Sequence, residues 1–436
     1  MSQATGRPNI LFLFTDDQRF DALAAVGNPD VITPNIDRLV ARGTSFTQCA
    51  IMGSTVPAVC CPSRAMLNTG RNLYHVPLDC GDYATMPQTL REAGYRTFGT
   101  GKWHNERASF ARSFSDGGSI FFGGMSNHSE VPVHDFDASG QYSADRQHVG
   151  KSFSSELFSD AAIDFLEGYE DDAPFYAYVS YTAPHDPRMA PAEYADLYDP
   201  GAMTVPENFA PEHPFDNGEM RIRDEMLAPF PRTPEIVQEH IAAYYAMITH
   251  VDAHIGRVLE ALEASGRADD TIVVFAGDNG LAVGQHGLFG KQSMYEHSIR
   301  VPLVIAGPGV PAGQTRESLC YLHDVFPTLC DLTGLDVPGS VETRSLAPVI
   351  SGERETMYDT TFHAYRDVQR AVRDGRFKLI EYFVDGVNTT QLFDVVDDPW
   401  EQCDLAGRAS MSAELPRLRA ELGEWQRRVD DPLIAN

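Results

Sequence analysis

The sequence predicts an α/β fold: a large mixed, mostly parallel sheet sandwiched by helices, with a small C-terminal antiparallel-sheet subdomain. Three observations carry this expectation. Short apolar runs alternate with helix-period stretches, four of those runs stop at clusters of polar residues, and after residue 352 the texture changes to short alternating runs. With 436 residues, 43% of them hydrophobic, the chain can bury one large core and a smaller one. The expected division is a large α/β domain over 1–351 and a small α+β subdomain over 352–436.

The elements follow in order. Asn9 to Phe14 reads as a buried strand ending at Thr15-Asp16-Asp17, and Arg96 to Gly99 as one ending at Thr100-Gly101-Lys102-Trp103-His104. Phe175 to Tyr181 leads into Pro184-His185-Asp186-Pro187, and Thr271 to Ala276 into Gly277-Asp278-Asn279-Gly280. Ligands of open α/β sheets sit beyond the carboxyl ends of the strands, so these four polar segments are expected to meet at one site. Ile241, Tyr245, Ile248, Val251, Ile255, Val258 and Leu262 recur three or four apart and predict a long amphipathic helix over 236–264. Segments 105–150 and 199–235 lack periodicity and are expected to be long loops over the site mouth. Gln369 to Val372, Arg376 to Phe383 and Gln391 to Val395, separated by Asp374-Gly375 and Asp385-Gly386, predict antiparallel hairpins.

Charge narrows the partners. A formal net charge of −28 argues against nucleic acid and anionic membrane surfaces, and it disfavours long-range attraction of a densely anionic polymer. No stretch approaches the roughly 20 apolar residues of a membrane span. Met1 to Pro8 lacks the apolar region of a signal peptide, which gives the expectation of a cytoplasmic protein, or of a periplasmic or secreted one if a leader was trimmed. The seven cysteines form no CxxC cluster and are expected to be mostly buried thiols. Only four lysines stand against thirty arginines, so a lysine marks a place where a compact ammonium is wanted. Lys102 and Lys291 lie in Gly-Lys segments; Lys151 and Lys378 do not.

Asp16-Asp17 and Asp278-Asn279 place four oxygen-bearing side chains at the ends of two buried strands. Such hard donors suit Ca²⁺ or Mg²⁺ better than zinc, and the amide at 279 serves calcium well and zinc poorly. Cys60-Cys61-Pro62-Ser63-Arg64, followed by Ala65 to Gly70, reads on its own as a helix start with Pro62 and Ser63 in the first turn.

The same stretch, Cys, any residue, Pro, Ser, Arg and then Thr69-Gly70, resembles the segment that formylglycine-dependent (type I) sulfatases of the alkaline phosphatase superfamily convert into a catalytic aldehyde. Arg373 to Ile380 and Leu392-Phe393-Asp394 through Asp398-Pro399-Trp400-Glu401 resemble the family's small C-terminal domain, so the likeness runs from residue 8 to about 406. It implies an alkaline-phosphatase-like fold and formylglycine made from Cys60 by a formylglycine-generating enzyme. It also implies one divalent cation, usually calcium, held by Asp16, Asp17, Asp278, Asn279 and the converted Cys60. A hydrated aldehyde carries two hydroxyls, one to attack sulfur and one to help expel the product. By resemblance, Lys102 and His104 act on the formylglycine, with His104 the base for the second half-reaction. His185 and Lys291 grip sulfate near the leaving oxygen, and Arg64 lends a charge that does not titrate.

The His-Asp-Pro-Arg and Gln-His-Gly segments resemble carbohydrate sulfatases and make a sulfated saccharide the expected substrate. Arg188, His286 and His128 are the candidate substrate contacts; His134, Asp135, His363, Tyr365 and Arg366 come second. A phosphonate monoester or phosphodiester hydrolase, or an aryl sulfatase, using the same aldehyde is the alternative. A catalytically dead binding protein of this fold would lack Cys60, Lys102 or a metal carboxylate, and none is missing.

Overall fold

The computed structural model describes residues 6–434. Met1–Thr5, on which the expectation of no leader partly rests, and residues 435–436 lie outside the described residues. Eight strands form the main sheet: β1 Asn9–Thr15, β2 Gly43–Phe46, β3 Arg96–Lys102, β4 Asp116–Phe121, β5 Phe175–Ser180, β6 Thr271–Gly277, β7 Leu303–Ala306 and β8 Gln314–Arg316. Their order is β8-β2-β7-β6-β1-β5-β3-β4. β7 runs antiparallel to both neighbours, and every other pairing is parallel. In register, Thr15 lies opposite Gly277, Phe14 opposite Ser180, and Gly101 opposite Ser180. The four central strands therefore end level with one another, and their polar continuations emerge side by side.

β1 shows how the layers form. Its seven residues Asn9–Thr15 are all buried, and the apolar side chains alternate between two cores. Ile10, Phe12 and Phe14 pack on one face, with the helices α2 Cys60–Thr69, α3 Met86–Glu92 and α6 Val325–Thr333. Leu11 and Leu13 pack on the other, under α1 Pro34–Arg42, α4 Ser154–Glu167 and the 31-residue α5 Pro234–Ala264. α5 begins where its signals say it should: Thr233 accepts a hydrogen bond from the Ile236 N–H and Pro234 occupies the first turn. No helix among the described residues is long and apolar enough to cross a membrane.

The segment 105–150, expected to be loop, holds a helix at Arg107–Ser113, the edge strand β4 and a short antiparallel pair of Pro132–Val133 with His148–Val149. β4 contains Gly117-Gly118, a pair with low strand propensity, and it lies at the sheet edge beside β3. The glycine is required there, because a Cβ on Gly117 would sit 2.6 Å from the Gly99 carbonyl oxygen. Gly101 plays the same part at the other side of β3. Its φ is +82°, and a Cβ would fall 1.8 Å from the Ser180 carbonyl oxygen, so only glycine lets β3 press against β5 just before Lys102.

The C-terminal sheet is built from β9 Thr361–Tyr365, β10 Gln369–Arg373, β11 Phe377–Val384 and β12 Val387–Asp394, consecutive and antiparallel. A two-residue strand from the main region, Gly53–Ser54, adds to its edge parallel to β9. Helix α7 Glu414–Arg428 covers the sheet with Leu418, Leu422 and Trp425.

Lys378, one of the four lysines, proves to be fully buried where this sheet meets the main region. Its Nζ lies 3.0 Å from Glu296 Oε1 and pairs with Glu401; Arg373 Nη1 lies 2.6 Å from Glu296 Oε2. Burial opposes the Glu296 charge, but Arg373 and Lys378 outweigh it and hold its carboxyl well below the usual carboxylate range. Removing one partner strands buried charge, so Lys378→Met is expected to cost about 3–5 kcal/mol of stability, measured by urea unfolding.

Candidate active site at the carboxyl ends of the strands

Cys60 is the first residue of α2, a helix whose ten residues are all buried and whose N-terminus points at the strand ends. Two contacts dock that helix: Ser63 Oγ donates to the Asp278 carbonyl at 2.6 Å, and Arg64 Nε donates to Asp278 Oδ2 at 2.9 Å. Arg64 Nη1 also donates to the Lys102 carbonyl at 2.8 Å and to Ser180 Oγ at 2.7 Å. One guanidinium thus ties the ends of β3, β5 and β6 together. It is fully buried, stacked over Phe14, with Nη2 unpartnered and 4.0 Å from Asp16 Oδ1. Arg64 therefore acts on the site by placing its carboxylates and by its field.

Lys102 Nζ donates to Asp16 Oδ2 at 2.5 Å and to Cys60 Sγ at 3.4 Å, and His104 Nδ1 lies 3.3 Å from the same sulfur. Lys291 Nζ donates to both Asp17 oxygens, at 2.7 and 2.9 Å, and His185 Nε2 lies 3.6 Å from Asp17 Oδ2. Asn279 Nδ2 donates to Asp17 Oδ1 at 2.7 Å, and the Asp17 N–H to Asp278 Oδ1 at 2.9 Å. Asp17 and His104 both hold left-handed backbone, φ 63° and 67°, a strain that non-glycine residues keep where the surroundings force it.

The electrostatics follow from burial and these pairs. Burial pushes the Cys60 thiol up, with Lys102 opposing. Burial, then Lys102 and Arg64, press the His104 imidazole down to about 2, so it is neutral. Burial works against both ammonium groups, but Asp16 holds Lys102 and Asp17 holds Lys291 above the ordinary lysine value. Asp17 resists burial because His185 and Lys291 keep its carboxyl below the usual range.

The same residues fit an oxygen-ligated cation. Ligand atoms of Asp16, Cys60 and Asp278 lie within 4.8 Å of one another, and so do those of Asp16, Asp17 and His185. Asp16 Oδ1 and Asn279 Oδ1 are buried with no hydrogen-bond partner, two hard acceptors left without a donor.

A cavity of about 240 Å³ opens over this centre, with Cys60, His104, His185 and Lys291 at its floor. Met125 comes from the loop region 105–150, and Ile222, Arg223 and Asp224 from 199–235, the two segments expected at the mouth. A slightly larger cavity of about 280 Å³, lined by Arg38, Leu259 and Thr271, lies at the opposite end of β6 and holds none of the site residues.

The expected substrate contacts are not at the cavity wall. His128 is buried behind His185, donating from Nε2 to the His185 carbonyl at 2.9 Å, with Ser154 Oγ 2.8 Å from Nδ1. His286 stacks on Tyr295 with ring centroids 3.9 Å apart and accepts from Asn208 Nδ2 at 3.1 Å, toward the C-terminal sheet. Arg188 Nη1 donates to His240 Nδ1 at 2.6 Å beside Phe289, leaving Nε and Nη2 unpartnered. His134, Asp135, His363, Tyr365 and Arg366 do not line it either; His363 is bound to the Ile51 carbonyl, and Tyr365 and Arg366 to Glu219. Sequence reasoning missed Ser180, Tyr244, which donates to the Asp17 carbonyl at 2.7 Å, and the rim residues Arg223, Asp224 and Gln292. His128 supports His185 from behind, so His128→Ala is expected to lower kcat with little change in KM, read from initial rates.

Comparison with known proteins agrees with this geometry. Residues 8–335 match the family model described as Sulfatase, and residues 284–428 one described as N-sulphoglucosamine sulphohydrolase, C-terminal. The chain is 30% identical to an N-acetylglucosamine-6-O-sulfatase of Bacteroides thetaiotaomicron, over 98% of this chain and 88% of that one. It superposes with a TM-score of 0.77 and 26% identity on a structure solved with its substrate D-glucosamine-2-N,6-O-disulfate, covering 98% and 99% of the two chains. A phosphonate monoester hydrolase of Agrobacterium radiobacter gives a TM-score of 0.75 and 26% identity over 95% and 96%.

Proposed function

The chain belongs to the sulfatase family, and from that premise we propose that it hydrolyses the sulfate ester of a sulfated saccharide by S–O cleavage, releasing inorganic sulfate. The observation that carries this reading is the convergence of Cys60, His104, His185 and Lys291 on one cavity floor, with Lys102 buried behind Cys60 and with Asp16, Asp17, Asp278 and Asn279 beside them. Cys60 is matured to formylglycine by a formylglycine-generating enzyme, and the converted side chain supplies the hydroxyl that attacks sulfur. Asp16, Asp17, Asp278 and Asn279 would hold one Ca²⁺, with Mg²⁺ the alternative for the same hard oxygens, and the ion would supply positive charge to the site.

The chain's own groups do the rest. Lys102 and Lys291 hold their ammonium charges at the Cys60 and Asp17 side chains and bind the non-bridging oxygens as charge builds on them. His104, neutral and with Nδ1 facing the residue-60 side chain, takes a proton there in the second half-reaction. His185 donates from Nδ1 to the Asp186 carbonyl at 2.8 Å, which fixes its ring with Nε2 toward Asp17. The proton for the departing alcohol comes from His185 Nε2 or Lys291 Nζ, the two donors that face Asp17.

Mass spectrometry across Cys60, paired with sulfate release from sulfated mono- and disaccharides, tests the proposal. Conversion with sulfate release supports it; conversion with turnover of an aryl phosphonate alone moves the assignment to a phosphonate monoester hydrolase, which the 0.75 TM-score keeps in view. Chelation is expected to lower both activity and thermal stability, and calcium to restore them. At a hundred times its Kd the ion adds about 2.7 kcal/mol, and Asn279→Ala shifts that calcium response to higher concentration.

A further inference from the structure

The cavity floor is built for one anion, and its rim is built differently. Arg223, nearly half exposed, spends its fork on carboxylates: Nη1 donates to Asp186 Oδ2 at 2.5 Å, and Nη2 to Asp186 Oδ1 at 3.0 Å and Asp224 Oδ1 at 2.5 Å. Asp224 Oδ2 accepts from Gln292 Nε2 at 2.7 Å, next to the catalytic Lys291. Two carboxylates thus share one guanidinium directly above the sulfate-holding centre. Arg188, the next cation, does not line the cavity. The remaining wall is apolar, from Ala58, Met125 and Ile222.

Resting on the sulfatase reading, we propose that the Arg223–Asp224 rim, with Asp186 holding Arg223 from behind, selects leaving alcohols without a second negative charge. The substrate is then a singly sulfated, otherwise neutral sugar, not a sulfated uronate or a disulfated ring. The physical grounds are three. Arg223 is already neutralised by a bidentate pair, so a substrate anion would have to displace a carboxylate from it. The spare lone pairs of Asp224 at the rim accept from hydroxyls and repel anions. The apolar wall offers the C–H face of a ring a place to lie. The net charge of −28 acts in the same direction at long range. This sets the chain apart from the structural neighbour solved with a disulfated glucosamine.

The test is a ratio of kcat/KM values within each protein preparation, so the fraction of folded or matured enzyme cancels. 4-Nitrophenyl sulfate is compared with the same ester carrying a ring carboxylate, and N-acetylglucosamine 6-sulfate with D-glucosamine-2-N,6-O-disulfate. The neutral member is expected to win by about tenfold or more, which is about 1.4 kcal/mol. Asp224→Asn should narrow that preference and Arg223→Gln should widen it, and added salt should narrow it in the native chain. Equal rates for the two members, or a ratio that neither substitution moves, overturns the role of the rim while leaving the sulfatase assignment standing. Hydrolysis of no sulfate ester by a chain with converted Cys60 overturns the sulfatase reading itself, and this proposal with it.

Discussion

Cys60→Ala is expected to reduce sulfate release by about 10⁴-fold or more, the order of loss when a covalent nucleophile is removed, while the fold survives. The sulfur is the point on which the site is focused: Lys102 Nζ and His104 Nδ1 both reach it, and its neighbours Asp16 and Asp278 fall within metal-ligand range. None of the contacts that dock α2 runs through this side chain. Ser63 and Arg64 make them, so a methyl at position 60 leaves the helix anchored. Circular dichroism and thermal unfolding should match the parent protein, and the kinetic assay should not. Unchanged turnover in the alanine variant would dismiss residue 60 as the nucleophile.

The second large effect is expected at Lys102. Lys102→Met should lower kcat/KM by about 10²–10³, the magnitude seen when one preorganised charge donor is lost. Lys102→Arg should not rescue it. The ammonium sits fully buried between Asp16 Oδ2 and Cys60 Sγ, a space for a compact point charge, and a planar fork would have to push the carboxylate or the sulfur aside. Asp16 would also lose its nearest counter-charge, so some stability should go with the activity, and calcium should return part of it. Full activity in the arginine variant would show that only charge matters at this position.

Asp16, Asp17, Lys102, His104, His185, Asp278 and Asn279 were legible because each stands at or just beyond the end of a buried strand, whereas Cys60 was read from its motif at a helix start. A continuous apolar run that stops at Asp16-Asp17 or Asp278-Asn279 marks both the sheet and its carboxyl end, and four such stops predict convergence. Lysine scarcity pointed to Lys102 and Lys291, and both are buried beside carboxylates. It also held a signal for Lys378 that no motif amplified, because a buried ion pair between β11 and distant Glu296 leaves no local pattern. β4 was hidden by its glycines, whose lack of a side chain is what the close approach of β3 demands.

The substrate contacts were the part least visible. His128, His286 and Arg188 stand close in sequence or chemistry to catalytic segments, yet proximity along a chain does not say which way a side chain points. His128 turns back under His185, and His286 turns toward Tyr295. The residues that do line the mouth, Ile222 to Asp224, come from a loop with no period to read. Ser180 and Tyr244 serve the site through a single hydroxyl each, a role that any strand serine or helix tyrosine can fill.

The buried Glu296–Lys378–Glu401 cluster bears on how this protein can be recombined with its relatives. Glu296 follows Lys291 by five residues, and its backbone N–H donates to Glu401 while its carboxylate receives Lys378 and Arg373. The segment that presents Lys291 to the cavity is therefore moored to the last quarter of the chain. A chimera spliced near residue 352 would trade away half of that mooring unless both donors keep positions 296, 373, 378 and 401 matched. Grafts that carry the four together should mature and turn over; grafts that split them should fail even with every catalytic side chain in place.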